Sequence, residues 1–199
     1  RAPDSLYENG INRARFVPFI ELVKARLELV ALDGLTDYRT RFISRSRLYH
    51  TPLSAAATVE LERMFRHLSD GIPPEPESFT VQGRTLTIAR TARGVALASF
   101  EELCARPLGP ADYIALQAAF HTVILSDIPR MGPDMRNEAK RFVTLIDVLY
   151  EHRVNFICSA AAEPDGLYPE GAGAFEFTRT TSRLNEMQTP GYIAEAHRF

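Results

Sequence analysis

The chain has 199 residues, 45% hydrophobic and 24% charged, which is enough for one substantial core or a core with a small subdomain. A net charge of -2 leaves no basic excess to neutralise phosphates and argues against a general nucleic-acid binder. No apolar run approaches the ~20 residues of a membrane-spanning helix.

In chain order, Phe16, Phe19, Ile20, Val23 and Leu27 recur at i, i+3, i+4, i+7 and i+11, the period of one helix face. Pro18 belongs in the first turn, because it would cost ~3 kcal/mol deeper inside. "LELVAL" (27–32) reads as the passage into a buried strand, and "TDYRTRFISRSRLYH" (36–50) as an exposed, arginine-rich connector. "PLSAAATVELERMFRHL" (52–68) predicts a helix ended by the Gly- and Pro-containing "SDGIPPEPES". Residues 78–99 alternate apolar and polar around two Gly-Arg or Arg-Gly turns, predicting two or three antiparallel strands. Ser99 and Glu102 form a capping box that starts a short helix at Phe100, and Pro110 opens another.

The last third is the clearest. "HTVILSD" (121–127) and "VNFICSA" (154–160) read as buried strands. Between them lies a long helix with Met135, Ala139, Phe142, Val143, Ile146, Leu149 and Tyr150 on one face. Strand, helix and strand of this kind make a parallel βαβ unit. "RTTSRLNEMQ" and "PGYIAEAHRF" close the chain as two short helices. "APDSLYENG" (2–10) echoes "EPDGLYPEG" (163–171), as a repeat or as the coincidence of a common Pro-Asp turn.

The motifs of chemistry are sparse. Neither Lys24 nor Lys140, the only two lysines, sits in a G-x-x-x-x-G-K-[ST] pattern, and G-x-G-x-x-G and G-x-S-x-G are also absent. The five histidines have no metal-ligand spacing, so no metal site is expected. Cys104 and Cys158 lie in apolar settings and read as buried free thiols. His121 reads as a core or strand-end residue, and Asp127 as a turn or cap residue at a strand end, where open α/β sheets also place ligands. Arginines stand out. Arg13 falls on the rim of the apolar face of residues 13–27, where a snorkelling surface role is the ordinary reading, and Arg15 points further out as an ordinary surface arginine. Arg179 and Arg183, at i and i+4, share a helix face and could hold an anion or an intraprotein ion pair.

Several stretches in order resemble the ZapE-like ATPases, AAA+-related P-loop enzymes of bacteria and mitochondria. They are "RAPDSLYENGINRARFVPFIELV", "LDGLTDYR", "FEELCARPLGPADYIALQAAFHTVILSDIP", "NEAKRFVTLIDVLYEHRVNFICSA" and "FEFTRTTSRLNEMQTPGYIAEAH". The resemblance implies an α/β fold: a partial P-loop NTPase-type parallel sheet with flanking helices and a small antiparallel β insertion. Its expected parts are 1–50, the distal part of the ATPase core; 51–109, a helix plus the β-rich insertion; and 110–199, a C-terminal βαβ and helical region. In that family the P-loop, the acidic Mg-binding strand and a strand ending Thr-Ser-Asn-Arg precede the matched region, and Arg1 resembles that last arginine. The chain, which starts at Arg1 rather than Met and shows no signal-peptide pattern, therefore reads as the C-terminal half of such an enzyme. ATP and Mg are expected as cofactors, bound mainly by upstream residues.

By the same resemblance Arg13, in "GINR", is the candidate arginine finger reaching a neighbouring subunit's nucleotide. Arg183 is the candidate second sensor, with Arg1, Arg179 and Arg141 as weaker nucleotide-binding candidates. The parent is expected to be a homo-oligomer that couples ATP turnover to remodelling a protein client. In bacteria that client is the tubulin-like division-ring protein and the compartment the cytoplasm; in mitochondria the implied role is protein quality control. No specific nucleic acid and no membrane span are expected. The alternative is a non-catalytic adaptor whose arginines bind acidic protein surfaces.

Overall fold

The apolar runs near 122 and 155 become two neighbouring inner strands of a six-stranded sheet in a computed structural model that describes residues 17–22 and 34–195. The chain divides into two compact units, Arg1–Arg39 and Thr40–Phe199. In the first, residues 17–22 are helical, with Ile20 buried and Phe19 half exposed. Expectations for Arg1, Arg13, Arg15, the strand at 27–32 and the first Pro-Asp echo lie outside the described residues.

The strands are β1 (Tyr49–His50), β2 (Glu75–Val81), β3 (Arg84–Ala92), β4 (Val95–Ser99), β5 (Thr122–Ile128) and β6 (Asn155–Ala160), ordered β1-β6-β5-β4-β3-β2. β1, β6, β5 and β4 pair in parallel, while β4-β3 and β3-β2 are antiparallel. The meander of residues 75–99 thus continues the parallel sheet. The fold is mixed α/β, with a mostly parallel sheet flanked by helices, as the resemblance implies for a P-loop-like chain.

The helices are α1 (Gly34–Arg45), α2 (Ala55–Leu68), α3 (Pro110–Ala119), α4 (Arg136–Glu151), α5 (Ala174–Glu186) and α6 (Pro190–Glu195). They cover both sheet faces. On one, Leu61, Met64, Phe65 and Leu68 of α2 pack with Ile43 of α1 and Ile193 of α6 against Val95, Leu97, Ile124 and Ile157. On the other, Tyr113 and Leu116 of α3, Phe142 and Leu149 of α4 and Phe177 of α5 meet Ala96, Ala98, Val123, Leu125, Phe156 and Cys158. Because alternate residues of β4, β5 and β6 enter different cores, these strands read as unbroken apolar runs. Cys104 and Cys158 are buried free thiols, as expected, and burial pushes both thiol pKa values up, which keeps them protonated.

Residues 36–50 correct the sequence reading. Instead of an exposed connector they contribute most of α1 and all of β1. Arginine is a good helix former, so Arg39, Arg41 and Arg45 hid the helix without opposing it. Ile43 is buried among the α2 side chains, and Phe42 lies 3.8 Å, centroid to centroid, from the His67 ring. The capping box is present: the Ser99 amide donates to Glu102 Oε2 at 2.7 Å, and the Glu102 amide to Ser99 Oγ at 3.2 Å. The helix it starts is one π-helical turn, Glu101–Ala105.

Both hairpin turns need left-handed backbone: Gln82 and Gly83 at φ 48° and 77°, Arg93 and Gly94 at φ 53° and 72°. The two glycines differ in surroundings. A Cβ on Gly94 would meet the His121 ring at 2.8 Å, whereas one on Gly83 would meet nothing within 4 Å. His121 is held there by Thr122 Oγ1 at 2.8 Å and the Arg93 carbonyl at 3.0 Å, a strand-end role. Gly83→Ala should therefore cost only the backbone penalty of about 1 kcal/mol. Gly94→Ala adds the clash and should cost about 2–3 kcal/mol. Urea unfolding of both variants checks this; equal losses would show that the His121 ring yields freely.

The α4–α5 arginine seam as candidate functional site

Helix α4 buries Ala139, Phe142, Ile146 and Leu149 of the predicted face together with Leu145, which that face did not include, while Val143 and Tyr150 are half-buried; α5 buries Phe177, Thr180 and Leu184. The α5 helix starts at Ala174, one turn earlier than the sequence reading placed it. Phe142 and Phe177 stack at 6.0 Å, and Tyr168 meets Phe177 edge-on at 5.6 Å. With those faces fixed, the flanking polar stripes of α4 and α5 confront each other.

Both candidate arginines of α5 converge on one carboxylate of α4. Arg179 Nη2 donates to Asp147 Oδ2 at 2.5 Å, and Arg183 Nη1 donates to Asp147 Oδ1. Arg183 also lies 3.5 Å from Glu151 and stacks 4.8 Å from the Tyr150 ring centroid. The Tyr150 hydroxyl donates to Glu186 Oε2 at 2.8 Å, which raises its pKa above the ordinary value. Arg153 extends the stack, 5.8 Å from Tyr150 and 5.0 Å from Tyr192. Arg183 is thus paired, stacked and only 17% exposed, whereas Arg179 is 61% exposed.

Arg141 is not part of this group. Its Nε donates to the Cys104 carbonyl at 2.5 Å and its Nη2 to Glu138 at 2.9 Å, fastening α4 to the turn after β4. Arg1 and Arg13 lie outside the described residues. Sequence reasoning missed Asp147 as the shared acceptor, since that depends on the rotation of α5 against α4. It also passed over Arg136 and let Lys140 go, although two cations at i and i+4 near a helix N-terminus are a legible signal.

The seam works as a brace between two helices. Removing Asp147 would leave Arg183 with Glu151 alone. Asp147→Ala should lower stability by about 1–2 kcal/mol, below the 3–5 kcal/mol of a fully buried pair because the group keeps some hydration. Arg179→Ala should change stability by less than about 0.5 kcal/mol. Thermal unfolding of the two variants tests that order.

Two cavities adjoin functional-looking groups. One of about 350 Å³ lies along the seam, lined by Arg136, Lys140, Thr144, Asp147, Glu176 and Arg179 among others. Another of about 260 Å³ opens at the carboxyl ends of β4 and β5, where open sheets hold ligands. In the second, Arg90 is clamped bidentately by Glu62 at 2.5 and 2.7 Å, and Glu102 is occupied by Ser99. Those hydrogen bonds hold the Glu62 carboxyl below the usual range. Asp127, at the end of β5, has φ 60°, and its amide donates to Ser159 Oγ at 2.9 Å, a bulge role. The sequence carries no P-loop motif, and no group of three or more His, Cys, Asp or Glu that could hold a metal ion occurs among the described residues. Nor is any helix among them long and apolar enough to cross a membrane.

Comparison with known proteins places this architecture. No solved structure matches the chain. Cell division protein ZapE of Escherichia coli K12 is 34% identical over 98% of this chain and 52% of that protein. Lactation elevated protein 1 homolog B of Danio rerio is 34% identical over 96% of this chain and 45% of its own length. An uncharacterized Schizosaccharomyces pombe protein is 30% identical, with 97% and 49% covered. The chain spans about half the length of the curated relatives it matches. The family model for AFG1-like ATPases matches residues 1–196, and with it the ordered motifs and the mixed α/β sheet agree: the chain belongs to the AFG1-like ATPase family.

Proposed function

We propose that the protein carrying this chain is a Mg-dependent ATPase that works as a homo-oligomer and couples ATP turnover to remodelling a protein partner. The observation that carries this reading is the AFG1-like ATPase match across residues 1–196. The cell-division name of the 34%-identical Escherichia coli relative supports a role in division, to which we add the tubulin-like ring protein as client and the cytoplasm as compartment. Mitochondrial work is our alternative reading for a eukaryotic source. In this reading residues outside 34–195 hold most of the nucleotide, and this region supplies arginines and a partner surface.

Arg183 is our candidate second sensor, and its setting defines the test. Asp147 already neutralises the guanidinium, so contact with a phosphate requires exchange of one anion for another. Asp147→Ala frees the guanidinium and Arg183→Ala removes it. A nucleotide role therefore makes Arg183→Ala lose more turnover than Asp147→Ala in a phosphate-release assay, with no rescue on mixing with a P-loop mutant. Equal losses from the two variants assign Arg183 to the brace alone. Absence of Mg-dependent phosphate release by the intact wild-type protein overturns the ATPase reading and leaves the adaptor alternative.

A further inference from the structure

The seam cavity contains charges that the brace does not use. Arg136 and Lys140, exposed at i and i+4 on α4, make no ion pair among the described residues. Their placement is unfavourable for the helix itself. Arg136 is the first residue of α4 and Lys140 lies one turn in. Cations are disfavoured at that end of the macrodipole, and like charges at i and i+4 repel. A chain with two lysines places one of them here. On α5, between the lining residues Gly173 and Glu176 in sequence, Phe175 is 92% exposed, the highest of the large hydrophobic side chains among the described residues. Local rules broken by both cations, Arg136 and Lys140, in one cavity mark a surface kept for a ligand.

We propose that the α4–α5 cavity docks an acidic helical segment of a protein partner. Carboxylates at i and i+4 on such a segment are spaced like Arg136 and Lys140 on α4, and an apolar side chain between them would cover Phe175. Aromatic and basic residues of this kind are the usual anchors of protein interfaces. Glu176 and Asp147 also line the cavity. Asp147 is already engaged by Arg179 and Arg183, and Glu176, without an ion pair among the described residues, would accept an N–H or ammonium donor from the same segment. The inference rests on the reading that this protein serves a protein partner.

Fluorescence anisotropy of a labelled helical peptide built of Glu, Ala and Leu, with glutamates four residues apart, tests the inference on the intact protein without nucleotide. Failure of the ATPase reading therefore leaves this result standing, and the reverse holds too. Saturable binding is expected, weakened about tenfold or more by the double variant Arg136→Glu, Lys140→Glu, and several-fold by Phe175→Ala. The double variant puts acidic groups at a helix N-terminus, where they favour folding, so its loss of binding would not reflect unfolding. No saturable binding, or binding unchanged in the double variant, overturns the proposal. Displacement of the peptide by millimolar inorganic phosphate reassigns the cavity to a small anion and overturns it. So does capture of phosphatidylserine vesicles that depends on Arg136 and Lys140 while peptide binding does not.

Discussion

Arg13→Ala is expected to leave nucleotide binding by the intact protein unchanged and to cut its ATP turnover by about a thousandfold or more. The argument rests on the Gly-hydrophobic-polar-Arg run "GINR" at residues 10–13, which resembles the family pattern ahead of a packed helix. An arginine supplied from one subunit to the nucleotide of another stabilises charge that develops only in the transition state, so it moves turnover and spares binding. That geometry gives a second, sharper result. Mixing Arg13→Ala with a P-loop-dead variant should restore part of the rate, because each subunit then supplies what its neighbour lacks. Unchanged turnover in Arg13→Ala sinks the finger role. Loss of turnover without rescue moves Arg13 to its own subunit's chemistry. Arg15, by contrast, is our ordinary surface arginine, and Arg15→Ala should change turnover little.

The largest stability effect is expected from Phe142→Ala, at about 3–5 kcal/mol. Phe142 is fully buried, 6.1 Å from the Phe100 ring and 6.0 Å from Phe177. It therefore joins the π-helical turn after β4, helix α4 and helix α5 at one point. Truncation removes the transfer free energy of the ring and leaves a cavity that three separate elements cannot all collapse into. For a chain of this length the melting temperature should fall by roughly 10 °C. Phe142→Leu, which keeps much of the volume, should cost about 1–2 kcal/mol. Phe175→Ala is the control: that ring is 92% exposed, and its loss should stay within about 0.5 kcal/mol. A Phe142→Ala loss below ~1.5 kcal/mol in urea unfolding would show that α5 repacks into the gap. In that case the Arg183–Asp147 brace should weaken as α5 shifts.

Much of the fold was legible because its signals are local. The alternation and turn glycines of residues 78–99 predicted the meander, and the apolar spacing of 135–150 predicted α4. The runs at 122 and 155 predicted parallel strands, since a strand covered on both faces shows no polar alternation. The failure at 36–50 has an equally local cause. Its apolar contribution to the cores is Ile43, Leu48 and Tyr49, with Phe42 packed beside them, too few and too unevenly spaced to show a period among arginines.

The site was less legible. The i and i+4 spacing of Arg179 and Arg183 placed them on one face, a property of the helix alone. What they bind is a carboxylate 32 and 36 residues away in the chain, chosen by how α5 rotates when Phe177 seats against Phe142. Arg141 shows the same dependence. Its place in "AKRF" suggested a polar helix face, and only packing brought the Cys104 carbonyl within 2.5 Å. That Arg136 and Lys140 make no ion pair among the described residues is likewise a tertiary fact, because a cation's partners are known only once the neighbouring acids have been placed.

The amino-acid sequence by itself determined the elements, the two-faced burial of the central strands, and, through its ordered motifs, the kinship with AFG1-like ATPases. Those depend on residue type and spacing along the chain, which packing leaves unchanged. Only the tertiary structure decided which arginines are spent on Asp147 and Glu138 and which remain available in the α4–α5 cavity. Side-chain charges pair across elements that are distant in sequence, so their partners exist only when the core has fixed how those elements meet.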